Sequence, residues 1–505
     1  MSNSRTKNSL LNMFSSMGYQ TLNIVLSFVN RTIFLQVLGV GYLGINGLFN
    51  DVLSMLNMAE LGISTAMTYS MYKPLAENDY DTLAGLTYFY KKVYRIIACA
   101  IAGIGVCLIP FLPYIINLET PIPYVEVYYL LFLAINVSSY LVVFKTTVLY
   151  ADQKNYVMLQ RSAIWRIIEM PVLLLVLYIT KSYVLFLVGQ VVFVYSKNFY
   201  MSSLANKYYP YINKKVILPK EKTENAFKDI GSSFIYKVAN VLLNGTDNTI
   251  ISILISTEMV GYFSNYSMVS GKLSNLLGTI FTSFIASIGN LIAKEDEGHV
   301  YKVFETLQSF SAIISIFCAS CLFLLEEDFI RIWLGEQYIL GKISLVAIVF
   351  NFYFTMATKP VVTFRESAGL FRKTKFVVLW TAVINLILSI ILGKKIGLAG
   401  IVLATSISKL LTSFWYEPRL LYNDFFKRSS KEYFLQMFKD FIILIVIMAA
   451  TGVLTGWYNP VSWSTLVIKG IMVAGISAMM TMAFYCRSAG FKMLVDRVKN
   501  ILRLH

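Results

Sequence analysis

The chain has 505 residues, of which 57% are apolar or aromatic and only 14% charged, against about 25% charged in ordinary soluble domains. That deficit excludes a soluble enzyme, and unbroken apolar blocks of about 18 residues or more, enough to cross roughly 30 Å of hydrocarbon as helices, mark an all-α polytopic membrane protein. The net charge of +16 makes no case for nucleic acid, because Lys and Arg gather in alternate connections between the blocks, as the positive-inside rule requires.

Taken in chain order, fourteen membrane spans are predicted near 9–38, 42–72, 83–116, 125–150, 157–180, 183–208, 227–256, 259–293, 300–325, 343–367, 375–394, 397–424, 434–456 and 464–487. A transmembrane β-barrel is excluded, since its strands would alternate polar and apolar residues. The first block is too long for a cleavable leader, carries Arg31 and runs straight into a second span. Lys214, Lys215, Lys220 and Lys222 follow span six, Arg372, Lys373 and Lys375 precede span eleven, and Lys427, Arg428 and Lys431 follow span twelve. Stretches 117–124 and 457–463 hold neither Lys nor Arg. This asymmetry and the even count predict two cytoplasmic termini.

Sliding the chain on itself by 217 residues aligns 15–79 with 232–296 without a gap. Identities include Ser15/Ser232, Tyr19/Tyr236, Asn23/Asn240, Thr32/Thr249, Gly44/Gly261, Ser70/Ser287 and Asp79/Asp296. The shift spans six helices, an even number, so the halves keep one orientation: parallel repeats about an axis along the membrane normal. The expected organisation is a six-helix lobe at 1–208, a linker at 209–226 and a second six-helix lobe at 227–430. An extra helix pair at 431–487 and a basic tail at 488–505 complete it.

Polar residues mark the faces that avoid lipid. Asn12, Ser16, Tyr19, Asn23, Ser27 and Arg31 recur every three or four residues on span one, hence on one helical face. Span seven repeats the stripe with Ser233, Lys237, Asn240, Asn244 and Asp247; span two carries Asn46, Asn50, Ser54 and Asn57. In lipid such stripes are costly, so they meet protein or water. Interhelical hydrogen bonding accounts for them at about 0.6–2 kcal/mol per contact. The symmetric placement favours a central cavity instead.

Charges inside the spans sharpen the choice. Lys145, Lys197 and Lys359 sit near span ends, from which they can snorkel; Arg166 and Glu169, three apart, can neutralise each other. Arg31 and Asp51 fall at similar depth and can pair. Lys237 and Lys272 lie roughly 15–20 Å along their helices, with no acid within one turn of sequence. A cation at the midplane costs about 2.5–3.5 kcal/mol, which points to a negatively charged substrate. The candidate substrate-binding residues are therefore Arg31, Lys237, Lys272, Asn23, Asn240 and Asn50. Glu60, Asp51 and Asp247 are the candidate coupling or counter-ion residues.

Other signatures carry no chemistry. Cys318 and Cys321 spell C-x-x-C, but with no second pair and only His299 and His505 in the chain they read as small residues at a helix contact, not as a metal site. Gly39-Val40-Gly41-Tyr42-Leu43-Gly44 fits a dinucleotide fingerprint but joins two spans and follows no strand; it is a tight turn. No Walker A loop is present, and no cofactor is expected.

Several runs carry a resemblance: Asn30-Arg31-Thr32-Ile33-Phe34, Tyr42-Leu43-Gly44-Ile45-Asn46-Gly47-Leu48-Phe49, Ala59-Glu60-Leu61-Gly62-Ile63 and Tyr72-Lys73-Pro74-Leu75-Ala76. With Asp247-Asn248-Thr249-Ile250, Gly261-Tyr262-Phe263-Ser264-Asn265-Tyr266 and Ser287-Ile288-Gly289-Asn290-Leu291, the sequence resembles Wzx-type polysaccharide flippases, more closely the capsule and exopolysaccharide transporters of Gram-positive bacteria. The match covers most of residues 10–425. It implies the multidrug, oligosaccharidyl-lipid and polysaccharide exporter superfamily, a central cavity lined by spans one, two, seven and eight, and a plasma-membrane location. It also implies outward flipping of an undecaprenyl-diphosphate-linked oligosaccharide, in membrane lipid and alongside polysaccharide polymerase and glycosyltransferases. Relatives carry cavity cations for the diphosphate; Arg31, Lys237 and Lys272 fall on corresponding helices. Fourteen spans also resemble the lipid II flippases, in which the last pair forms a groove for the lipid tail. A cation-coupled multidrug exporter and a lipid II flippase remain as alternatives. A membrane-embedded glycosyltransferase would need a carboxylate or His constellation that the scattered acids and two histidines do not supply.

Overall fold

The computed structural model describes residues 2–60, 63–219, 238–243, 245–488, 490–493, 495 and 499. Lys237, Lys220, Lys222, Leu61, Gly62 and the start of span seven lie outside the described residues. The protein is 88% helical, with no strand among the described residues. It divides into two compact units, Met1–Gly261 and Tyr262–His505.

The first unit opens with α1 (Ser2–Leu38). Gly39, at φ +86°, ends it in a conformation that only glycine adopts without strain, and α2 (Val40–Leu56) turns back. The predicted second span then breaks: a 3-10 turn, Asn57–Glu60, separates α2 from α3 (Ile63–Glu77). Asp79 caps α4 (Tyr80–Cys107), its carboxylate accepting from the Thr82 amide at 2.9 Å. The fourth span is α5 (Val125–Tyr140) followed by α6 (Val143–Ala151), bent by 48°. Then come α7 (Asn155–Thr180), α8 (Tyr183–Tyr208) and, from span seven, α9 (Asp247–Leu254).

Helix α10 (Thr257–Lys294) leads into the second unit. Asp296 caps α11 (Glu297–Leu334), accepting from the Gly298 and His299 amides. Next come α12 (Lys342–Ala357) and α13 (Lys359–Ser367). Helix α14 (Phe371–Leu411) holds two spans joined at a kink, where Ile396 and Gly397 leave helical geometry. Helix α15 (Ser413–Leu420) runs into a π-helical turn, Leu421–Phe426. The chain closes with α16 (Lys431–Thr455) and α17 (Trp463–Tyr485).

Several helix boundaries follow the same 217-residue shift. The two capping aspartates, Asp79 and Asp296, are repeat partners doing the same work. Helices α5 and α12 start and stop at equivalent residues, so both fourth spans break at one place. The left-handed residue after α7, Lys181, and the glycine at the α14 kink, Gly397, fall one position from equivalence.

Among the described residues ten helices are long and apolar enough to cross a membrane, or eleven with the bent α5–α6 pair. Three features account for the difference from fourteen. The stretch Lys373–Phe426 counts once although it folds back at Gly397. The second span is broken at Asn57–Glu60, and span seven is described only in part.

Burial runs opposite to that of a soluble domain. Thr374, Thr381, Asn385, Ser389 and Ser408 are buried, while Leu175, Ile179, Val453 and Ile471 are exposed. Across the kink of α14 the Asn385 amide donates to the Thr405 hydroxyl at 3.1 Å. Apolar side chains left outside suit hydrocarbon, not water.

Candidate substrate and ion sites

Helices α1 and α2 bear the polar stripe of the first unit. Asn23, Ser27 and Arg31 follow one another at intervals of four on α1, and Asn23 and Arg31 are half-buried. The Ser27 hydroxyl donates to the Asn23 carbonyl at 2.5 Å. On α2 the exposed Asn50 amide donates to the Asn46 side-chain oxygen at 2.7 Å and to its carbonyl at 2.8 Å. These amides are held along their own helix, one turn apart, as i,i+4 pairs should be.

Asp51 accepts from the Asn248 backbone amide at 3.2 Å. Asn248 lies in the first turn of α9, where unpaired N–H groups and the helix dipole favour an anion. Asp247 opens that helix, and its charge is felt at Asp51. The structure thus brings these two sequence-chosen acids together and gives Asp51 a structural task, anchoring α9 to α2. Asn240 is half-buried on the helical stretch 238–243.

Glu60 stands at the break between α2 and α3. Tyr94 of α4 donates to its carboxylate at 3.4 Å, and Tyr140 of α5 donates to Asn57 at 2.7 Å. The two tyrosine rings stack with centroids 6.4 Å apart. Helices α4 and α5 therefore hold the broken second span by its polar residues.

Close packing fixes the other end of α2. A Cβ on Gly44 would sit 1.8 Å from the Thr257 carbonyl oxygen, and one on Gly261 would sit 2.5 Å from that of Val40. The repeat-related glycines thus share one contact, where backbones approach as only small residues allow.

Lys272 is half-buried midway along α10 in the second unit; Arg31 belongs to the first. Arg166 and Glu169 form the i,i+3 pair expected of them, at 3.3 Å. Two buried ion pairs escaped the sequence reading. Arg365 of α13, 2% exposed, binds Glu417 of α15. Lys469 of α17 binds Asp328 of α11 at 2.6 Å, and Arg331 reaches Asp328 at 2.8 Å. Span nine was expected to end at 325; α11 continues to Leu334, and the pairing with Lys469 and Arg331 offsets the cost of carrying Asp328 there. A lone lysine amid the apolar residues of span fourteen was the available signal.

Cys318 and Cys321 are free thiols. Among the described residues no group of three or more His, Cys, Asp or Glu side chains could hold a metal ion.

No protein-family model and no curated protein matches this sequence. Among solved structures the chain is similar to the lipid II flippase MurJ in an inward closed conformation, with TM-score 0.68 and 13% identity over 94% of this chain and 99% of that one. It is also similar to an inward-facing multidrug resistance MATE family transporter of the MOP superfamily, with TM-score 0.61 and 12% identity over 78% of this chain and 93% of that one. A Vibrio cholerae MATE transporter, VcmN in its bent form, gives TM-score 0.51 and 12% identity over 81% and 92%. What these likenesses share with the chain is the fold, that of a multi-pass membrane protein.

Proposed function

We propose that the protein is a flippase, not an enzyme, and carries undecaprenyl-diphosphate-linked oligosaccharide units from the inner to the outer leaflet of the plasma membrane by alternating access. The observation that carries this reading is the fold similarity to a lipid II flippase across 94% of the chain. Polar stripes and cations within apolar spans support it. A diphosphate brings about two negative charges that hydrocarbon excludes, and Arg31, Lys237 and Lys272 offer counter-charge at several depths. Arg31 supplies a planar fork for phosphate oxygens, and the lysines act as point charges. Asn23, Asn240 and Asn50 supply amides for a hydrated glycan. In this reading six-helix lobes at 1–208 and 227–430 move about the linker 209–226, the pair at 431–487 meets the lipid tail, and both termini face the cytoplasm.

A second reading is cation-coupled multidrug export. Similarity to MATE transporters and the carboxylates Glu60, Asp51 and Asp247 favour it. Deletion with complementation separates the two. Flipping predicts loss of surface polysaccharide and accumulation of lipid-linked units inside; drug export predicts intact polysaccharide and raised drug susceptibility.

A further inference from the structure

A cavity of about 250 Å³ lies wholly within the second unit, where the first turns of α11 and α16 meet the end of α17. We propose that this cavity binds a small organic ammonium ion bearing a hydrogen-bond-accepting oxygen, of the ethanolamine or choline kind.

Three carboxylates line the cavity, Glu305 of α11 and Glu432 and Asp440 of α16, and among the described residues no Lys or Arg does. Arg428 stacks on the Tyr301 ring, 4.1 Å from its centroid, and offsets part of the Glu305 charge. Lys302 and Lys439 act on Glu305 and Asp440 from exposed positions. The lining itself stays acidic. Asp440 is already fixed, accepting from Gln436 at 2.7 Å and from the Tyr485 hydroxyl, so its position is set before any ligand arrives.

The rest of the lining narrows the ligand. Tyr301, Tyr422 and Tyr433 also face the cavity, with neighbouring rings 5.9–6.0 Å apart. Aromatic faces beside carboxylates attract organic cations. A metal ion would need ligands drawn close together, and among the described residues the acids form no such group. The Gln308 side-chain N–H₂, in a residue 8% exposed, and the Tyr433 hydroxyl, in one 2% exposed, have no hydrogen-bond partner among the described residues. Buried donors left so are costly. An oxygen two carbons from the ammonium nitrogen would serve Gln308 while the charge faces the acids.

The same chemistry arrives either as a free amine or as a phospholipid headgroup, and two arms of one experiment distinguish them. Calorimetry on the purified full chain in detergent follows choline, ethanolamine and tetramethylammonium at constant ionic strength. Native mass spectrometry then compares retention of phosphatidylethanolamine and phosphatidylglycerol. Saturable choline or ethanolamine binding, weakened at least tenfold by Asp440→Asn and by Glu305→Gln, supports a free ligand. Selective retention of phosphatidylethanolamine that these variants abolish supports a headgroup. Gln308→Leu should weaken choline but leave tetramethylammonium unchanged. Glu432→Gln, at an exposed position, keeps the test decisive should a buried variant fail to fold. Glu126→Gln, far from the cavity in sequence and in the other unit, should bind normally. No response in either arm, or binding untouched by Glu432→Gln and by every folded variant of the lining, overturns the proposal.

Discussion

Removing Arg31 takes a guanidinium out of the α1 stripe, so Arg31→Ala should cut transport at least tenfold. Arg31→Lys keeps the charge but loses the bidentate geometry and should restore only part of the rate. Lys272→Ala should also be defective, whereas Lys145→Ala, at a span end, should be near wild type. Export normalised to membrane abundance checks all four. The buried pairs predict a different outcome: Arg365→Met leaves Glu417 charged without its buried partner, whereas Lys469→Met leaves Asp328 with Arg331 alone. The first should cost about 3–5 kcal/mol of stability and the second less, read as lowered melting temperatures in detergent. The double variant Lys469→Met, Asp328→Leu should recover much of the loss. Pairing separated by three residues, as in Arg166 and Glu169, is visible in sequence because helix geometry alone dictates it. Arg365 and Glu417 lie 52 residues apart; only the packing of α13 on α15 reveals that they meet.

At the scale of elements, helix ends and close approaches carry the argument. Asp79→Ala and Asp296→Ala each remove an N-cap, and each should cost about 0.5–2 kcal/mol, read as a lowered melting temperature. Gly44→Val should do more harm than either, since its side chain would collide with the Thr257 carbonyl rather than with a flexible group; loss of folded protein on size-exclusion chromatography is the expected result. The turn at Gly39 was legible because its glycines interrupt two apolar blocks. The break at Asn57–Glu60 was not, because short polar runs within a span read equally as a stripe. Its cause is tertiary, with Tyr94 and Tyr140 holding the polar residues from neighbouring helices. Glu60→Gln tests whether that site also couples transport to a gradient: coupling predicts normal abundance with gradient-dependent transport abolished.

For the whole molecule, composition alone gave the membrane class, and the 217-residue shift gave the repeat. Helices α5 and α12 have matching boundaries under that shift, past the aligned identities. The division into compact units falls after Gly261 in the chain, at a place no composition change announces. Topology follows from the charge asymmetry: a cysteine at Lys373 should label only after permeabilisation, and one at Pro121 should label in intact cells. The central claim is tested most directly with the purified chain in liposomes, following undecaprenyl-diphosphate-linked oligosaccharide from one leaflet to the other. The account predicts that the wild-type chain equilibrates the lipid between leaflets and that Arg31→Ala and Lys272→Ala, at equal incorporation, slow it at least tenfold. Transfer no faster than in empty liposomes, or full speed in both variants, would contradict it.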